Sequence, residues 1–325
     1  MVALSDFVFG WGEVVSTLKK PLLVIAGPTA SGKTALAIAL CKALNGEVVS
    51  ADSMQVYEGI PVATACPTME EREGVVHHML SCVPLSASYS VAQYARQAQN
   101  VIEDIHARGK LPVLCGGTGL YIAALTDNVR YEEQDDRRAK EIRERLRKEH
   151  AAEGDEAMWE RLRTIDPALA AKLHVHDRGR VLRGLEVFEL SGVTMSELQR
   201  RQKSEPSMYD VTMIVLDFRD REKLYDRIDR RVTVMLQNGL LEETAAVVRL
   251  NSPTADQAIG CKELRPYFNG ECTLYEALEY MRRRSRQYAK RQLSWFRRIS
   301  TATTLYVDDY ETPQELVQAA LEIAQ

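Results

Sequence analysis

The stretch IAGPTASGKTALAIAL, residues 25–40, decides the fold of this chain. It contains the pattern G-x-x-x-x-G-K-[ST] with every fixed position matched. A short apolar run, residues 22–26, precedes the glycines, and a helical pattern follows them. A strand, a glycine loop and a helix in this order are typical of phosphate-binding loops in parallel α/β proteins. The stretch therefore predicts a site for a chain of phosphates.

The loop offers phosphate several kinds of contact. Its glycines let backbone N–H groups point inward, and the start of the helix adds a partial positive charge. We expect Lys33 to contact the terminal phosphates and Thr34 to ligate Mg²⁺. The pattern leaves open whether the phosphates belong to ATP or to another diphosphate. The predicted diphosphate-binding residues are Gly27, Pro28, Thr29, Ala30, Ser31, Gly32, Lys33 and Thr34.

Strand and helix patterns alternate outward from this loop. Apolar runs in 22–26, 47–53, 111–115 and 211–218 predict buried strands, and periodic apolar residues predict helices between them. This alternation predicts an α/β protein with a P-loop NTPase-like parallel sheet as its core. Residues 132–165 are instead charge-dense and helical in pattern, and no strand is evident before residue 206. They predict a helical insertion domain within the core.

Four segments follow from this pattern. Residues 1–20 form an N-terminal extension of unknown role, and 21–128 the first part of the P-loop α/β core. Residues 129–205 form the helical insertion. Residues 206–325 complete the core and carry basic C-terminal helices.

The composition is typical of a globular protein of about two domains, with 325 residues, 45% of them hydrophobic and 27% charged. No apolar run approaches the ~20 residues of a membrane span, and the start of the chain lacks a basic region before its apolar residues. The six cysteines form no CxxC pair, which excludes a structural zinc site and favours a reducing compartment. We therefore expect a cytoplasmic enzyme that contacts no membrane.

Charge is unevenly distributed along the chain. The formal net charge is -4, yet residues 282–298 hold eight Lys or Arg and no acidic residue. One such face can bind a polyanion even on a mildly acidic protein. Trp295 lies among these arginines and could stack on an unpaired base, whereas we expect Tyr288 and Phe296 to face the core.

The acidic residue that accompanies most ATP-binding loops is missing from its usual strand. The strand at 111–115 runs into glycines instead of Asp or Glu. The nearest acid is Asp52, which lies at the C-terminal end of the second predicted strand and so faces the phosphate site of an open parallel sheet. Asp52 could hold Mg²⁺ through water, accept a proton from an acceptor nucleophile, or cap the next helix together with Ser53.

Three further residues have both a chemical and a structural interpretation. Thr118 lies in a second glycine turn, where it could bond a phosphate or a nucleotide, or cap the following helix. Arg227 and Arg231 are four residues apart on one predicted helix. One or both could reach the phosphates, or they could form an exposed solvated face.

Segments along almost the whole chain resemble the tRNA dimethylallyltransferase family, also called tRNA isopentenyltransferases. The matching segments span residues 24 to 298 in order: GPTASGKTALA, SADSMQVY, HHML, YSVAQY, RGKLPVLCGGTGLYI, RVLRGLEVFELSG, QAIGCKEL and RQYAKRQLSWFRR. The phosphate loop alone is shared by many families. DSMQVY and GGTGLY at this spacing, followed by KRQLSWFRR, are far more specific.

The resemblance implies that the loop holds the diphosphate of dimethylallyl diphosphate, not ATP, which agrees with the missing acid. The implied reaction transfers the dimethylallyl group to N6 of the adenine on the 3′ side of the anticodon in tRNAs, and releases diphosphate. Asp52 is the implied general base, Lys33 and Arg231 stabilise the leaving group, Thr34 ligates Mg²⁺, and Thr118 places the acceptor. The implied partners are the anticodon stem-loop of tRNA and dimethylallyl diphosphate, and we expect a monomer.

The resemblance also implies a set of tRNA contacts, and the helical insertion would grip the anticodon stem-loop. The implied tRNA-binding residues are Asp52, Ser53, Met54, Gln55, Thr118, Gly179, Arg180, Val181, Leu182, Arg183, Gln257, Ala258, Ile259, Gly260, Cys261 and Lys262. Four positions depart from the usual family pattern, and we expect them in or near the RNA face: Ala63, Cys66, Gly184 and Cys261.

Two rival interpretations remain at this stage. A small-molecule kinase would use the loop for ATP and Asp52 to activate a hydroxyl, and it would turn over ATP without RNA. It gives no purpose to the basic C-terminal helix or the helical insertion. A non-catalytic RNA-binding module would have no need for the intact Lys33, Thr34, Asp52 and Thr118.

Overall fold

The computed structural model describes residues 19–127, 136–204, 207–250 and 258–325. The tRNA contact predicted at Gln257, most of the extension predicted at 1–20 and the first residues of the predicted insertion lie outside the described residues.

One parallel sheet organises the core. Within the described ranges it has six strands in the order β3-β2-β4-β1-β5-β6, and every pairing is parallel. The strands are β1 (Lys20–Ala26), β2 (Gly46–Ser50), β3 (His77–His78), β4 (Leu111–Gly116), β5 (Tyr209–Asp217) and β6 (Thr303–Tyr306). This sheet confirms the predicted fold class.

Helices cover both faces of the sheet, so its central strand is buried on both sides. In β1, Leu22, Val24 and Ala26 pack into one apolar cluster, while Leu23 and Ile25 pack into a second. Successive side chains of a strand point to opposite faces, which explains the alternation. A continuous apolar run such as residues 22–26 is therefore what a central parallel strand requires.

The helices of the core connect these strands, and a 3-10 helix spans Val307–Asp309. The helix after the phosphate loop ends as predicted, because Asn45 adopts the left-handed conformation with φ of 52°. The core helices are α1 (Lys33–Leu44), α2 (Pro61–Thr64), α3 (Val91–Ala107), α4 (Gly119–Thr126), α9 (Arg221–Gln237), α10 (Leu240–Leu250), α11 (Cys261–Phe268), α12 (Leu274–Phe296) and α13 (Pro313–Ala324).

The region between α4 and β5 is helical where it is described. It comprises α5 (Asp136–Ile165), α6 (Pro167–Ala170), α7 (Arg178–Ser191) and α8 (Met195–Ser204), and α5 bends at Gly154, whose φ is 86°. These helices share an apolar cluster of their own, built from Ile142, Leu146, Met158, Leu162, Leu169, Ala170, Val181 and Leu185. The exact boundaries of the predicted insertion stay a prediction.

Some elements differ from the sequence expectations. The strand expected over 47–53 ends at Ser50, because Asp52 accepts hydrogen bonds from the main chain that follows it and turns the chain out of the sheet. The edge strands β3 and β6 were not expected, since two and four residues are too short for a clear pattern. None of the described helices is long and apolar enough to cross a membrane.

Candidate active site

A cavity of about 230 Å³ opens at the carboxyl ends of the strands, beside the phosphate loop. From β1 the chain continues to β2 on one side of β1, and from β4 it crosses to β5 on the other side of β1. The strand order therefore reverses at β1, and ligands of open parallel sheets bind at such a point. Many of the predicted site residues come together in its lining: Thr29, Lys33, Thr34, Asp52, Ser53, Met54, Gln55, Arg231, Ala258 and Ile259.

The phosphate loop has a backbone shape that depends on glycine. Gly27 has φ of 144°, and a Cβ there would lie 2.7 Å from the carbonyl oxygen of Leu216 on β5. Gly32 has φ of 95°, and Ala30 also adopts a positive φ, of 62°. Ser31 is buried, and its hydroxyl oxygen has no hydrogen-bond partner in the described structure. A buried polar atom without a partner is consistent with a site built for a polar ligand.

Lys33 begins α1 and points back across the loop. Its Nζ donates a hydrogen bond to the carbonyl oxygen of Pro28 at 2.6 Å. The pKa of Lys33 is lowered to about 8, chiefly by burial and in smaller part by nearby Arg231, while Cys115 and Asp52 oppose the change. A cation that is costly to bury gains much from an anion placed beside it. The loop is therefore electrostatically suited to diphosphate.

Asp52 combines a structural contact with an uncommitted oxygen. Its Oδ1 accepts hydrogen bonds from the N–H groups of Met54 at 2.9 Å and Gln55 at 3.3 Å. Its Oδ2 accepts none from the residues that the structure describes, and Asp52 lines the cavity. One oxygen thus holds the turn that follows Asp52, not a helix as considered from sequence, while the other is available for a metal-bound water or for a proton.

Thr118 occupies the N-cap position of α4, but its side chain does not cap that helix. Its Oγ1 accepts the N–H of Ser53 at 3.0 Å and lies 3.3 Å from the Ser53 hydroxyl oxygen. The backbone N–H of Thr118 donates to the carbonyl oxygen of Ala51 at 3.0 Å. Thr118 therefore ties the second glycine turn to the residues on either side of Asp52.

The two candidate arginines of α9 lie on different sides of the phosphate loop. Arg231 lines the cavity, donates to the carbonyl oxygen of Thr64 at 3.1 Å, and has its pKa lowered by burial. Arg227 is exposed and donates from Nε to the carbonyl oxygen of Ala30 at 2.8 Å. Arg231 is therefore placed to reach a ligand inside the cavity, and Arg227 supports the loop from outside.

The cavity offers few protein ligands for Mg²⁺. The Thr34 hydroxyl lines the cavity and makes no hydrogen bond to the described residues. Among the described residues, no group of three or more His, Cys, Asp or Glu side chains is placed to hold a metal ion. Mg²⁺ commonly takes one or two protein oxygens and completes its shell with waters and substrate phosphates. The donor set of Thr34 and Asp52 fits an ion that arrives with a diphosphate.

The residues predicted on α7 do not line this cavity. Val181 is 1% exposed and packs in the apolar cluster of the helical region. Arg180 forms an ion pair with Asp177, the residue before the helix, at 3.3 Å, and Arg183 forms one with Glu186 on the same helix at 2.7 Å. Gly179 is exposed and Leu182 is partly buried.

The segment before α11 contributes to the cavity through its first residues. Ala258 and Ile259 line the cavity, and Gly260 adopts φ of 117°. Lys262 is exposed, whereas Cys261 is fully buried in the main apolar cluster.

Three of the four positions that depart from the family pattern are buried: Ala63, Gly184 and Cys261. Cys261 is buried, as above. At Gly184 a Cβ would lie 2.8 Å from methyl carbons of both Leu162 and Leu169, because neighbouring leucines fill the space of a side chain. Internal packing explains the glycine at 184, and the expectation that these positions lie in or near the RNA face stays a prediction.

Two polar residues that support the site, the half-buried Glu243 and the buried Gln292, were not identified from the sequence. Glu243 on α10 accepts the N–H groups of Val62 and Ala63, both at 2.7 Å, and so holds α2 in place. The Thr64 carbonyl at the end of α2 in turn accepts hydrogen bonds from Arg231 and Gln55. The other missed residue is Gln292 on α12, which contacts both glycine turns.

Comparison with known proteins agrees with this geometry. A sequence model of the family described as IPP transferase matches residues 55–299. The chain belongs to this family. It is 41% identical over 306 residues to the tRNA dimethylallyltransferase of Caldanaerobacter subterraneus subsp. tengcongensis, covering 93% of this chain and 96% of the relative. It is 44% identical over 281 residues to the tRNA dimethylallyltransferase of Bacillus velezensis, covering 86% and 88%.

Solved structures of IPP transferases also superpose on this chain. The tRNA isopentenylpyrophosphate transferase of Bacillus halodurans gives a TM-score of 0.69 at 38% identity, covering 94% of this chain and 97% of that one. A eukaryotic dimethylallyltransferase, studied in crystallographic snapshots while acting on tRNA, gives 0.79 at 33% identity, covering 93% and 79%. The family resemblance found in the sequence is thereby confirmed.

Proposed function

We propose that this protein is a tRNA dimethylallyltransferase. It transfers the dimethylallyl group of dimethylallyl diphosphate to N6 of the adenine on the 3′ side of the anticodon, giving N6-(dimethylallyl)adenosine and diphosphate. The observation that carries the proposal is that Lys33, Thr34, Arg231 and Asp52 line one cavity. A cationic loop for a leaving group thus lies beside a carboxylate that can take a proton.

The reaction needs a strongly stabilised leaving group. The allylic C1–O bond breaks and its electron pair remains on the diphosphate, so negative charge grows at the oxygens of the loop site. The loop N–H groups, Lys33 and Arg231 are preorganised to stabilise that charge. Mg²⁺ bound through Thr34 would supply further charge neutralisation at the phosphate oxygens.

The acceptor needs the opposite assistance, because the lone pair of an adenine N6 is delocalised into the ring. As the new N6–C1 bond forms, the nitrogen becomes positively charged and must lose a proton. Asp52 Oδ2 is the group that takes this proton, and Oδ1 keeps the carboxylate in place through Met54 and Gln55. Thr118 helps to place the acceptor by holding the backbone of Ser53.

The far part of the cavity has the character that a five-carbon group requires. Apolar side chains from α9, α12 and the segment before α11 line it, and they would exclude water from a reactive allylic carbon. These residues are Ile228, Val232, Met235, Ala258, Ile259 and Met281.

The polynucleotide would be bound outside this cavity. The adenine must leave the anticodon loop to enter, which costs less than base flipping from a duplex because loop bases are already unpaired. We assign RNA contacts to the basic face of α12, to the exposed residues Gly179, Arg180 and Arg183 of α7, and to the exposed Lys262 of α11. The helical insertion, 129–205, would then grip the anticodon stem-loop by shape and phosphate contacts.

The proposal places a monomer in the cytoplasm. All six cysteines lie in the described ranges and none forms a disulfide, which fits a reducing compartment. Size-exclusion chromatography with light scattering checks the monomer.

One incubation tests the proposed reaction. The protein is mixed with Mg²⁺, dimethylallyl diphosphate and unmodified tRNA, and the digested nucleosides are weighed by mass spectrometry. We expect an adenosine that has gained one dimethylallyl group, located by sequencing next to the anticodon. A parallel incubation with ATP and no RNA tests the kinase alternative, which family membership does not support. ATP turnover without prenylation would overturn the proposal.

A further inference from the structure

Gln292 on α12 is a buried side chain that joins the two glycine turns of the site. It is 5% exposed. Its Oε1 accepts the N–H of Thr29 in the phosphate loop at 2.8 Å, and its Nε2 donates to the carbonyl oxygen of Gly117 at 2.9 Å. A backbone N–H can only donate and a carbonyl can only accept, so these partners fix the orientation of the amide.

The Gln292 side chain is closely packed between the two glycine turns. A Cβ at Gly117 would overlap the Gln292 amide and would lie 3.3 Å from the carbonyl oxygen of Gly27. The main chains of the two glycine turns therefore lie close together, and the side-chain amide of Gln292 fills the space between them. The glycine at position 117 is explained by this side chain of α12.

The bridge lies between the two halves of the proposed reaction. On one side Thr29 belongs to the loop that ends in Lys33. On the other side Gly117 precedes Thr118, whose hydroxyl holds Ser53 next to Asp52. The backbone N–H of Thr29 is hydrogen-bonded to Gln292. This N–H therefore holds the loop in place and is not available to bind phosphate.

We propose that Gln292 is a positioning residue that sets the distance between the diphosphate loop and the acceptor side of the cavity. It acts through the main chain of both turns and touches neither reacting atom. This inference rests on the proposed function. A reaction that joins two bound substrates is sensitive to such a distance, because a displacement of about 1 Å can lower the rate about a hundredfold.

The plain alternative is that Gln292 only satisfies two buried backbone groups. Removing it would then lower stability without separating binding from chemistry. Gln292→Met keeps the length and volume of the side chain and removes both hydrogen bonds. Gln292→Asn, which is too short to reach both turns, replaces it if the methionine variant fails to fold.

A matched control comes from the same helix. Leu278 is buried in the main apolar cluster and lies 14 residues before Gln292, about 21 Å along a helix. Leu278→Ala lowers stability by removing packing and touches neither turn. Comparing the two variants separates a loss of stability from a loss of positioning.

The kinetic test measures kcat, the KM for each substrate, and Tm. For Gln292→Met we expect kcat to fall about tenfold to a hundredfold while both KM values stay within about threefold. Leu278→Ala should lower Tm and leave kcat unchanged at a temperature where it is folded. A Gln292→Met kcat equal to that of wild type, or a loss confined to KM, would overturn the inference.

A second measurement does not depend on the transfer reaction. Hydrogen exchange is followed at residues 27–34 and 116–119, with and without inorganic pyrophosphate and Mg²⁺. In the wild type, pyrophosphate should slow exchange in both segments, because Gln292 couples them. In Gln292→Met, protection should be confined to 27–34.

The outcomes of the two measurements can be told apart. Absence of any effect on 116–119 in the wild type would contradict the coupling and so the inference. Coupled protection in a wild-type protein that forms no prenylated adenosine would instead contradict the proposed function alone.

Discussion

The two ends of the cavity are encoded in different ways. The end that we propose for the diphosphate consists mainly of eight consecutive residues, 27–34, whose backbone shape follows from glycine. The end that we propose for the acceptor is assembled from β2, α2, α9, the β4–α4 turn and α12, which are far apart in sequence. The first end is therefore set by local geometry and the second by long-range hydrogen bonds. Substitutions at the first should remove donor binding, and those at the second should change the rate.

The largest effect is expected at the diphosphate end, from Lys33→Met. Loss of the ammonium removes a charge from the leaving-group site, and a single preorganised donor is worth about 10²- to 10³-fold. We expect kcat/KM for dimethylallyl diphosphate to fall by about 10³-fold in steady-state kinetics. The Kd for tRNA should be unchanged. A fall of less than about tenfold would take Lys33 out of the leaving-group site.

The same variant should melt no lower than the wild type in a thermal scan. Burial disfavours the charged form of Lys33, as its lowered pKa indicates, so the native structure gains no stability from this charge at neutral pH. A marked loss of Tm would show that Lys33 is mainly a structural residue.

The second effect tests the acceptor end through Asp52→Asn. Asparagine keeps an oxygen that can accept from Met54 and Gln55, but it cannot take a proton. We expect kcat to fall about 10²-fold or more, with tRNA affinity in a filter-binding assay nearly unchanged. Asp52→Ala is the matched comparison, since it also removes the turn contacts and should in addition lower Tm. Full activity of Asp52→Asn would remove Asp52 from the role of base.

The third effect is a pH dependence confined to the diphosphate end. The pKa of Lys33 is about 8 in the free protein, and the protonated form binds the anion more tightly. Affinity for inorganic pyrophosphate should therefore fall as pH rises through 8, approaching about tenfold per pH unit. Isothermal titration calorimetry between pH 7 and 9.5 measures it.

Pyrophosphate also titrates in this range, so the control is Lys33→Arg, whose guanidinium stays charged. The ratio of wild-type to Lys33→Arg affinity should fall with rising pH. A constant ratio would contradict the placement of the Lys33 ammonium against the phosphates.

The smallest effect concerns the basic face of α12, which we expect to bind a polyanion. Here the structure narrows the choice of residues to substitute. Several arginines of the run are already engaged: Arg282 with Glu279, Arg286 with Asp229 and Arg297 with Asp217. Lys290 and Arg298 make no ion pair with the described residues. They are therefore better probes of RNA binding than the paired arginines.

We expect Lys290→Gln combined with Arg298→Gln to weaken tRNA binding a few-fold. The slope of log K against log salt should become less negative by about 0.7 to 0.9 for each phosphate contact that is lost. The control is Lys19→Gln, compared per charge removed, because Lys19 lies at the opposite end of the strands and makes no ion pair with the described residues. An equal change of slope per charge in the control would show that the basic run contributes only net charge.

The backbone shape of the phosphate loop could be predicted from the sequence because its information is local. The loop, the start of α1 and its end at Asn45 depend on residues that are adjacent in the chain. Asp52 was also found, because the carboxyl ends of parallel strands meet at one edge of the sheet. The family resemblance supplied the roles of these residues.

The remaining part of the site depends on contacts that no local pattern shows. Gln292 lies in a run that was noted for its arginines, and Glu243 lies on a helix that was not singled out. Each becomes informative only when the fold brings it to a distant backbone, 263 residues away for Thr29 and 181 for Val62. Gly184 shows the same limit, since only the structure reveals the two leucines that fill its space.

The most direct test of the account is a crystal structure with an inert thio analogue of dimethylallyl diphosphate. We predict that the diphosphate is bound by the N–H groups of residues 30–34 and by Lys33 Nζ, and that the allylic carbon faces Asp52 Oδ2 across the cavity. An analogue bound outside the loop, or one whose allylic carbon is turned away from Asp52, would contradict it.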